Sequence, residues 1–282
     1  MLNLEPVEAF YDAYETREWD RLVASPEAQI IYNLHRKFLE GHAGSGSRVL
    51  DAGCGPGRFS LDMAAGGARV TLLDLSGEQL RMAREKVEER GLSAQVEDYH
   101  HGDVRDLSCF ADRTFDTVVC YGAVLNYLLE DVPTALREFA RVVKPGGAVL
   151  VSVNSRLGTL RWFASSGRKE PQEFLGRPDY WPVHSVAREG SFPLHPELNH
   201  PARHLYQSGE LAGLLNGCGL RNVQLATAPA LVTGYRSSLE KISEHPEAWK
   251  TLLELEEGAY QEPGLLDAGY FLLGKGQVPT DD

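Results

Sequence analysis

Val49-Leu50-Asp51-Ala52-Gly53-Cys54-Gly55-Pro56-Gly57-Arg58 is the stretch on which the fold turns. An apolar pair runs into an acid and three alternating glycines, and a helix-like segment follows. Glycine permits backbone torsions closed to other residues and lets a bulky ligand press against the main chain. A glycine-rich turn between a strand and a helix can be a plain tight turn or the ligand corner of an open α/β sheet. Dinucleotide binding asks for Gly-x-Gly-x-x-Gly, with a small third residue where helix packs on strand. Counting from Gly53, that position is Arg58, and the carboxylate of Asp51 is badly placed for a pyrophosphate.

Outward from this turn, short apolar runs at residues 70–73, 115–120 and 148–153 alternate with helical segments. Strand, helix, strand in repetition predicts a doubly wound, mostly parallel sheet with helices on both faces. Ligands of such sheets sit at the carboxyl ends of the strands. Upstream, residues 6–40 carry apolar side chains at helical spacing and read as two helices, the second starting at Pro26 with Ser25 as its cap. Beyond Asn154 the rhythm fails up to about Arg203, too long a stretch for a plain loop, which predicts an inserted cap. A helix over 208–215, a strand over 220–230, an amphipathic segment over 237–260 and a final strand over 268–273 complete the chain. The expected organisation is a helical lid over 1–45, a ligand-binding core over 46–154, a cap over 155–205 and the rest of the core sheet over 206–282.

Asp51-Ala52-Gly53-Cys54-Gly55-Pro56-Gly57 resembles motif I of the class I S-adenosylmethionine (SAM)-dependent methyltransferases, and the similarity runs over about residues 46–154. The resemblance implies a seven-stranded Rossmann-like sheet, SAM as cofactor and S-adenosylhomocysteine (SAH) as product. SAM carries an ammonium and a sulfonium and no phosphate, so an acid ahead of the glycines has a partner. Asp74, ending the second strand and followed by Leu75, matches the acid that accepts the ribose hydroxyls; by itself it also reads as a helix cap. Gly102-Asp103-Val104 matches the adenine segment, and Tyr121 to Ala123 the backbone beside the methionine moiety. The expected cofactor set is thus Asp51, Gly53, Gly55, Asp74, Leu75, Asp103, Val104 and Tyr121, with Arg21 as a clamp for the cofactor's carboxylate.

Lid and cap residues are expected to form the acceptor pocket: Tyr11, Tyr14, Trp19, Asn126, Tyr180 and His184. Tyr127, His200 and His204 are the candidates for acid–base work, since an imidazole base would suit O- or C-methylation. The segment Asn126-Tyr127-Leu128-Leu129 is unlike the Asn/Asp-Pro-Pro-Tyr/Phe element of methylases acting on base amines. A net charge of −12 also disfavours nucleic acid, whose phosphates attract cationic surfaces. Four scattered cysteines lack metal-site spacing and suit a reducing cytoplasm, and no apolar run is long enough to cross a membrane. The expectation is a cytoplasmic enzyme, monomer or homodimer, that methylates nitrogen or oxygen of a small molecule without a metal. An NAD(P)-dependent oxidoreductase and a non-catalytic SAM-binding protein are the alternatives.

Overall fold

Strand β1 (Arg48–Ala52) is buried over its last four residues, and it pairs in parallel with β2 (Arg69–Asp74) on one side and with β4 (Phe115–Cys120) on the other. In the computed structural model, which describes residues 2–165, 171–177, 181–194 and 200–281, these strands lie inside a seven-stranded sheet. Its order is β3 (Val96–His101), β2, β1, β4, β5 (Val143–Asn154), β9 (Phe271–Gln277), β8 (Arg221–Ala228). The strands from β3 to β5 run parallel, and β9 runs antiparallel to both of its neighbours. The order reverses between β1 and β4, and this switch point opens a crevice at the strands' carboxyl ends.

Alternation along the central strands sends consecutive apolar residues to opposite faces. Val49, Leu72, Val119 and Leu150 pack in one core, while Leu50, Leu73, Val118 and Val151 pack in the other. Three N-terminal helices precede the sheet: α1 (Glu5–Asp12), α2 (Arg17–Arg21) and α3 (Pro26–Leu39). The sequence suggested two. Glu15, with φ of +53°, breaks the first one, and Ser25 caps α3 by accepting the Ala28 N–H at 3.2 Å. Helices α3 and α4 (Arg58–Ala65) cover one face, with α5 (Gly77–Glu89) beside them, and α6 (Val132–Val142) covers the other. Strand β3 went unread because Val96-Glu97-Asp98-Tyr99-His100-His101 is polar, as an edge strand with no buried residue can be.

After β5 the chain builds α7 (Arg156–Ala164), α8 (Pro171–Leu175) and α9 (Val183–Glu189), then a hairpin of β6 (Ser191–Phe192) and β7 (Arg203–His204). Phe163, Trp181, Val186, Phe192 and Leu205 give this region a small core of its own. Arg156, at the start of α7, bonds the Gln207 side chain at 3.2 Å and the carbonyls of Ala187 and Arg188. Arg168 and Lys169 of the same stretch lie outside the described residues. Helix α10 (Ser208–Gly217) returns to the sheet, and α11 (Arg236–Ser243) and α12 (Pro246–Ala259) follow β8.

The fully buried Glu256 of α12 accepts the N–H groups of Ala230 at 2.6 Å and of Leu231 and Val232 at 3.1 Å each. Burial raises its pKa and the three hydrogen bonds oppose that rise. Removing the carboxylate would strand buried donors. Glu256→Ala should therefore lower unfolding free energy by about 2–4 kcal/mol, and Glu256→Gln by roughly half of that, in denaturant titrations. An Ala variant as stable as the parent would rule this out.

Candidate active site

The turn after β1 is tied down by Gly53 and Cys54, whose N–H groups donate to the Leu73 carbonyl at 2.7 and 3.0 Å. Gly53 has a φ of +81°, and a Cβ there would sit 2.4 Å from Cγ2 of Val124, so only glycine fits. The turn borders a cleft with about 920 Å³ of atom-free space, solvent at its mouth included, at the switch point of the sheet. That falls within the size range of small-ligand sites.

Four carboxylates line this cleft: Glu18, Asp51, Asp74 and Asp103. Asp51 is 2% exposed, and Ser60 Oγ donates to it at 2.5 Å. Burial nevertheless pushes its pKa up to about 7. Asp74 accepts the Ser76 N–H at 2.8 Å on one oxygen and the Gly55 N–H at 2.7 Å on the other. Its pKa is also lifted, to about 6, chiefly by burial. Each oxygen keeps a lone pair for a ligand hydroxyl. Asp103 is bound more heavily than a free adenine acceptor would be. Arg105 donates to one of its oxygens at 2.6 and 2.9 Å and, through its backbone N–H, to the other at 2.8 Å. Leu75 and Val104 supply apolar walls beside it, and Tyr121 and Gly122 line the cleft beyond β4.

The lid lies against this cleft through both apolar and polar contacts: Leu4 is buried, with Leu2 and Val7 packed against the core. Arg105 Nη1 donates to the Leu2 carbonyl at 2.9 Å and to Asp131 at 2.6 Å, and Ser76 Oγ donates to Asp12 at 2.5 Å. Gln79 Nε2 donates to the Tyr11 carbonyl at 2.9 Å. Arg21 lines the cleft as the sequence suggested, but already paired with Glu18 at 2.5 Å. The Tyr11 hydroxyl donates to that of Tyr127 at 3.1 Å, and both rings line the cleft. Burial raises the pKa of both phenols and holds them neutral.

Other expected site residues are placed elsewhere. Tyr14 stacks on Phe10 with Arg17 over its ring, and Trp19 is held by Arg58, whose guanidinium sits 3.9 Å from the indole; neither lines the cleft. Asn126 is fully buried, its amide consumed by the His204 carbonyl at 2.5 Å and the Asn154 N–H at 3.0 Å, so it staples loops instead of facing an acceptor. His204 pairs with Glu210 at 2.7 Å, the residue that also closes the capping box of α10, which occupies the imidazole away from the cleft. His184 is exposed on α9, and Tyr180 lies outside the described residues. His200 stacks on Tyr127, with ring centroids 6.0 Å apart, and borders the site through that ring.

Glu18, Gln79 and Arg105 went unread in the sequence. Only their tertiary position distinguishes them from ordinary surface residues, and no local pattern marks them. Their chemistry bears on fit. A cleft lined by four acids suits a ligand with positive charge, and Gln79 Oε1, buried and without a partner there, is an acceptor awaiting a donor. SAM, with its ammonium, sulfonium and ribose hydroxyls, matches that donor set; Asp51, Asp74, Asp103, Glu18 and Arg21 would hold it. Among the described residues no cluster of His, Cys, Asp and Glu could hold a metal ion, and no helix is long and apolar enough to cross a membrane.

Comparison with known proteins agrees with this geometry. Residues 49–147 match the family model described as a methyltransferase domain. The chain is 34% identical over 181 residues to a ubiquinone biosynthesis O-methyltransferase of Aromatoleum aromaticum, covering 62% of this chain and 74% of that one. It is 45% identical over 127 residues to a malonyl-[acyl-carrier protein] O-methyltransferase of Erwinia pyrifoliae, covering 44% of each, so it spans less than half of that relative. Among solved structures, a putative methyltransferase of Haloferax volcanii, in complex with the Trm112 methyltransferase activator, superposes with a TM-score of 0.62 at 20% identity, over 98% of this chain and 99% of the other. At that identity the likeness speaks for the fold.

Proposed function

The chain belongs to the class I SAM-dependent methyltransferases, and from that premise we propose that it methylates a small acceptor, on oxygen in preference to nitrogen, by in-line displacement beneath the lid. The cofactor supplies a methyl carbon made electrophilic by its sulfonium. The protein's part is then positioning and exclusion of water. The observation that carries the reading is the convergence of Glu18, Asp51, Asp74 and Asp103 on one cleft beside a glycine turn that no side chain fits. The O-methylation of the two relatives by their names supports oxygen as the acceptor atom.

Tyr11 and Tyr127 act as neutral phenols that orient the acceptor's reacting atom by hydrogen bonding, and His200, stacked on Tyr127, is the imidazole beside that pair for a released proton. His204 is withdrawn from that role by Glu210. A net charge of −12 favours a small acceptor over nucleic acid, and four cysteines without disulfides suit the cytoplasm.

Calorimetry against SAM, SAH and NADH tests the reading: heat for the first two and none for NADH is expected. Binding of NADH alone would favour an oxidoreductase, and binding of SAH without turnover on any acceptor would favour a sensing protein. In the same assay Asp74→Ala should weaken SAH by about 1.5–3 kcal/mol, the range for a hydrogen bond to a charged partner. An unaltered Kd on well-folded protein would remove Asp74 from the cofactor site.

A further inference from the structure

The backbone of Leu2 is held at both of its polar groups by one ion pair of the core. Its N–H donates to Asp131 Oδ2 at 3.0 Å, and its carbonyl accepts from Arg105 Nη1 at 2.9 Å. Arg105 Nη1 also donates to that Asp131 oxygen at 2.6 Å, while its Nε and Nη2 donate to Asp103 at 2.9 and 2.6 Å. The Arg105 side chain is only 6% exposed, so these charged bonds are made largely away from water, where they are strong. One guanidinium in the turn after β3 thus joins a carboxylate of the cleft to the chain ahead of α1.

The chain that starts there is the roof of the cleft. Leu4, Val7, Tyr11, Glu18, Arg21 and Leu22 all line it. The roof runs the length of the crevice, from Arg105 after β3 to Gly122 after β4, where a Cβ would meet Arg21 Nη2 at 3.4 Å. Yet within residues 2–22 Leu4, 8% exposed, is the one buried residue. Polar fastenings supply the remaining hold: the Arg105–Asp131 pair on Leu2, Ser76 Oγ on Asp12 at 2.5 Å, Gln79 Nε2 on the Tyr11 carbonyl at 2.9 Å, and Arg58 Nη2 on the Trp19 carbonyl at 2.6 Å. A segment with so little apolar burial opens at a free-energy cost far below that of global unfolding.

We propose that residues 2–22 are a gate that opens to admit and release the cofactor, that the Arg105–Asp131 pair is its latch, and that Arg105 is the positioning residue linking this latch to Asp103. This rests on the methyltransferase reading above. The structure shows the latched position, with the roof's own side chains as walls of the site. Where the latched state dominates with and without ligand, a weaker latch raises the open fraction in both. Entry and exit then quicken together, and the ratio that sets Kd changes little. Loss of a ligand contact behaves otherwise, since it quickens exit alone.

The test follows association and dissociation of SAH on the full chain by surface plasmon resonance, in the parent, Asp131→Ala and Asp12→Ala. Neither aspartate lines the cleft, and the Asp131 side chain makes no capping bond to α6, so no ligand contact or helix cap is removed. Asp131→Ala should raise both rates about 10-fold or more, as expected from losing hydrogen bonds to a charged partner, and move Kd by less than about 3-fold. Should that variant fail to fold, Asp12→Ala carries the same expectation at a few-fold, and hydrogen exchange over residues 2–22 should quicken in it while α4 stays as in the parent. Faster exit with unchanged entry, unchanged rates in the folded variants, or a parent that takes up SAH at the diffusional limit each overturns the proposal. A parent that binds no SAH sinks the methyltransferase reading itself, which separates the two failures.

Discussion

Gly53→Val should bind SAH at least about 30-fold more weakly than the parent protein while remaining folded. The estimate joins two costs: holding a side chain at left-handed torsions, about 1–2 kcal/mol, and overpacking a filled site, about 1–3 kcal/mol. Both apply at Gly53, where φ is +81° and a Cβ would lie 2.4 Å from Val124 Cγ2. Relief requires the turn or the Val124 segment to retreat, and both line the cleft. Gly55 is the instructive control. A Cβ there would meet only Glu18 Cγ, at 3.6 Å, and its φ is +52°. Gly55→Ala should lose about 10-fold, from backbone strain alone. Calorimetry with circular dichroism as the folding control decides; equal losses at the two positions would show that the Val124 contact does not govern the site.

The second large effect is on pH. Burial places the pKa of Asp51 near 7 and that of Asp74 near 6, against an ordinary value of 3.8. A carboxyl whose pKa is higher in the folded than in the unfolded chain holds its proton longer when folded, so stability falls as pH rises from about 4 to 7. For the nearly inaccessible Asp51 the loss is on the order of a few kcal/mol. A cationic ligand works the other way, because it is attracted only to the ionised form. Affinity for SAM should therefore climb about tenfold or more between pH 5.5 and 8, while the ligand-free protein melts at lower temperature over the same range. Protons should be released on binding near pH 6.5, measurable in buffers of differing ionisation enthalpy. A pH-independent Kd would mean that neither carboxylate faces the ligand's positive charge.

Residues of the site differed sharply in how far the chain announced them. Asp51, Gly53, Asp74 and Asp103 stand at strand ends or turns, so their place follows from their neighbours in sequence, and all four line the cleft. Arg58, read as an obstacle to a dinucleotide, turned out to hold Trp19 and with it α2, through the indole face and the Trp19 carbonyl. The aromatic and imidazole residues of the lid and cap were read by type alone. Type does not separate Tyr127, which lines the cleft, from Tyr14, which does not, nor His200 beside Tyr127 from His204 beside Glu210.

Local pattern determined the doubly wound sheet, the glycine corner and the acids next to it, because backbone torsion, strand periodicity and turn chemistry act over a few neighbouring residues. Tertiary structure alone decided that Glu18 joins those acids and that Asn126 spends its amide on the His204 carbonyl and the Asn154 N–H. Each of those outcomes depends on partners distant along the chain, 78 residues away for Asn126 and His204. The energy of a buried polar group is set by whichever atoms packing brings beside it, and no short window of sequence contains them.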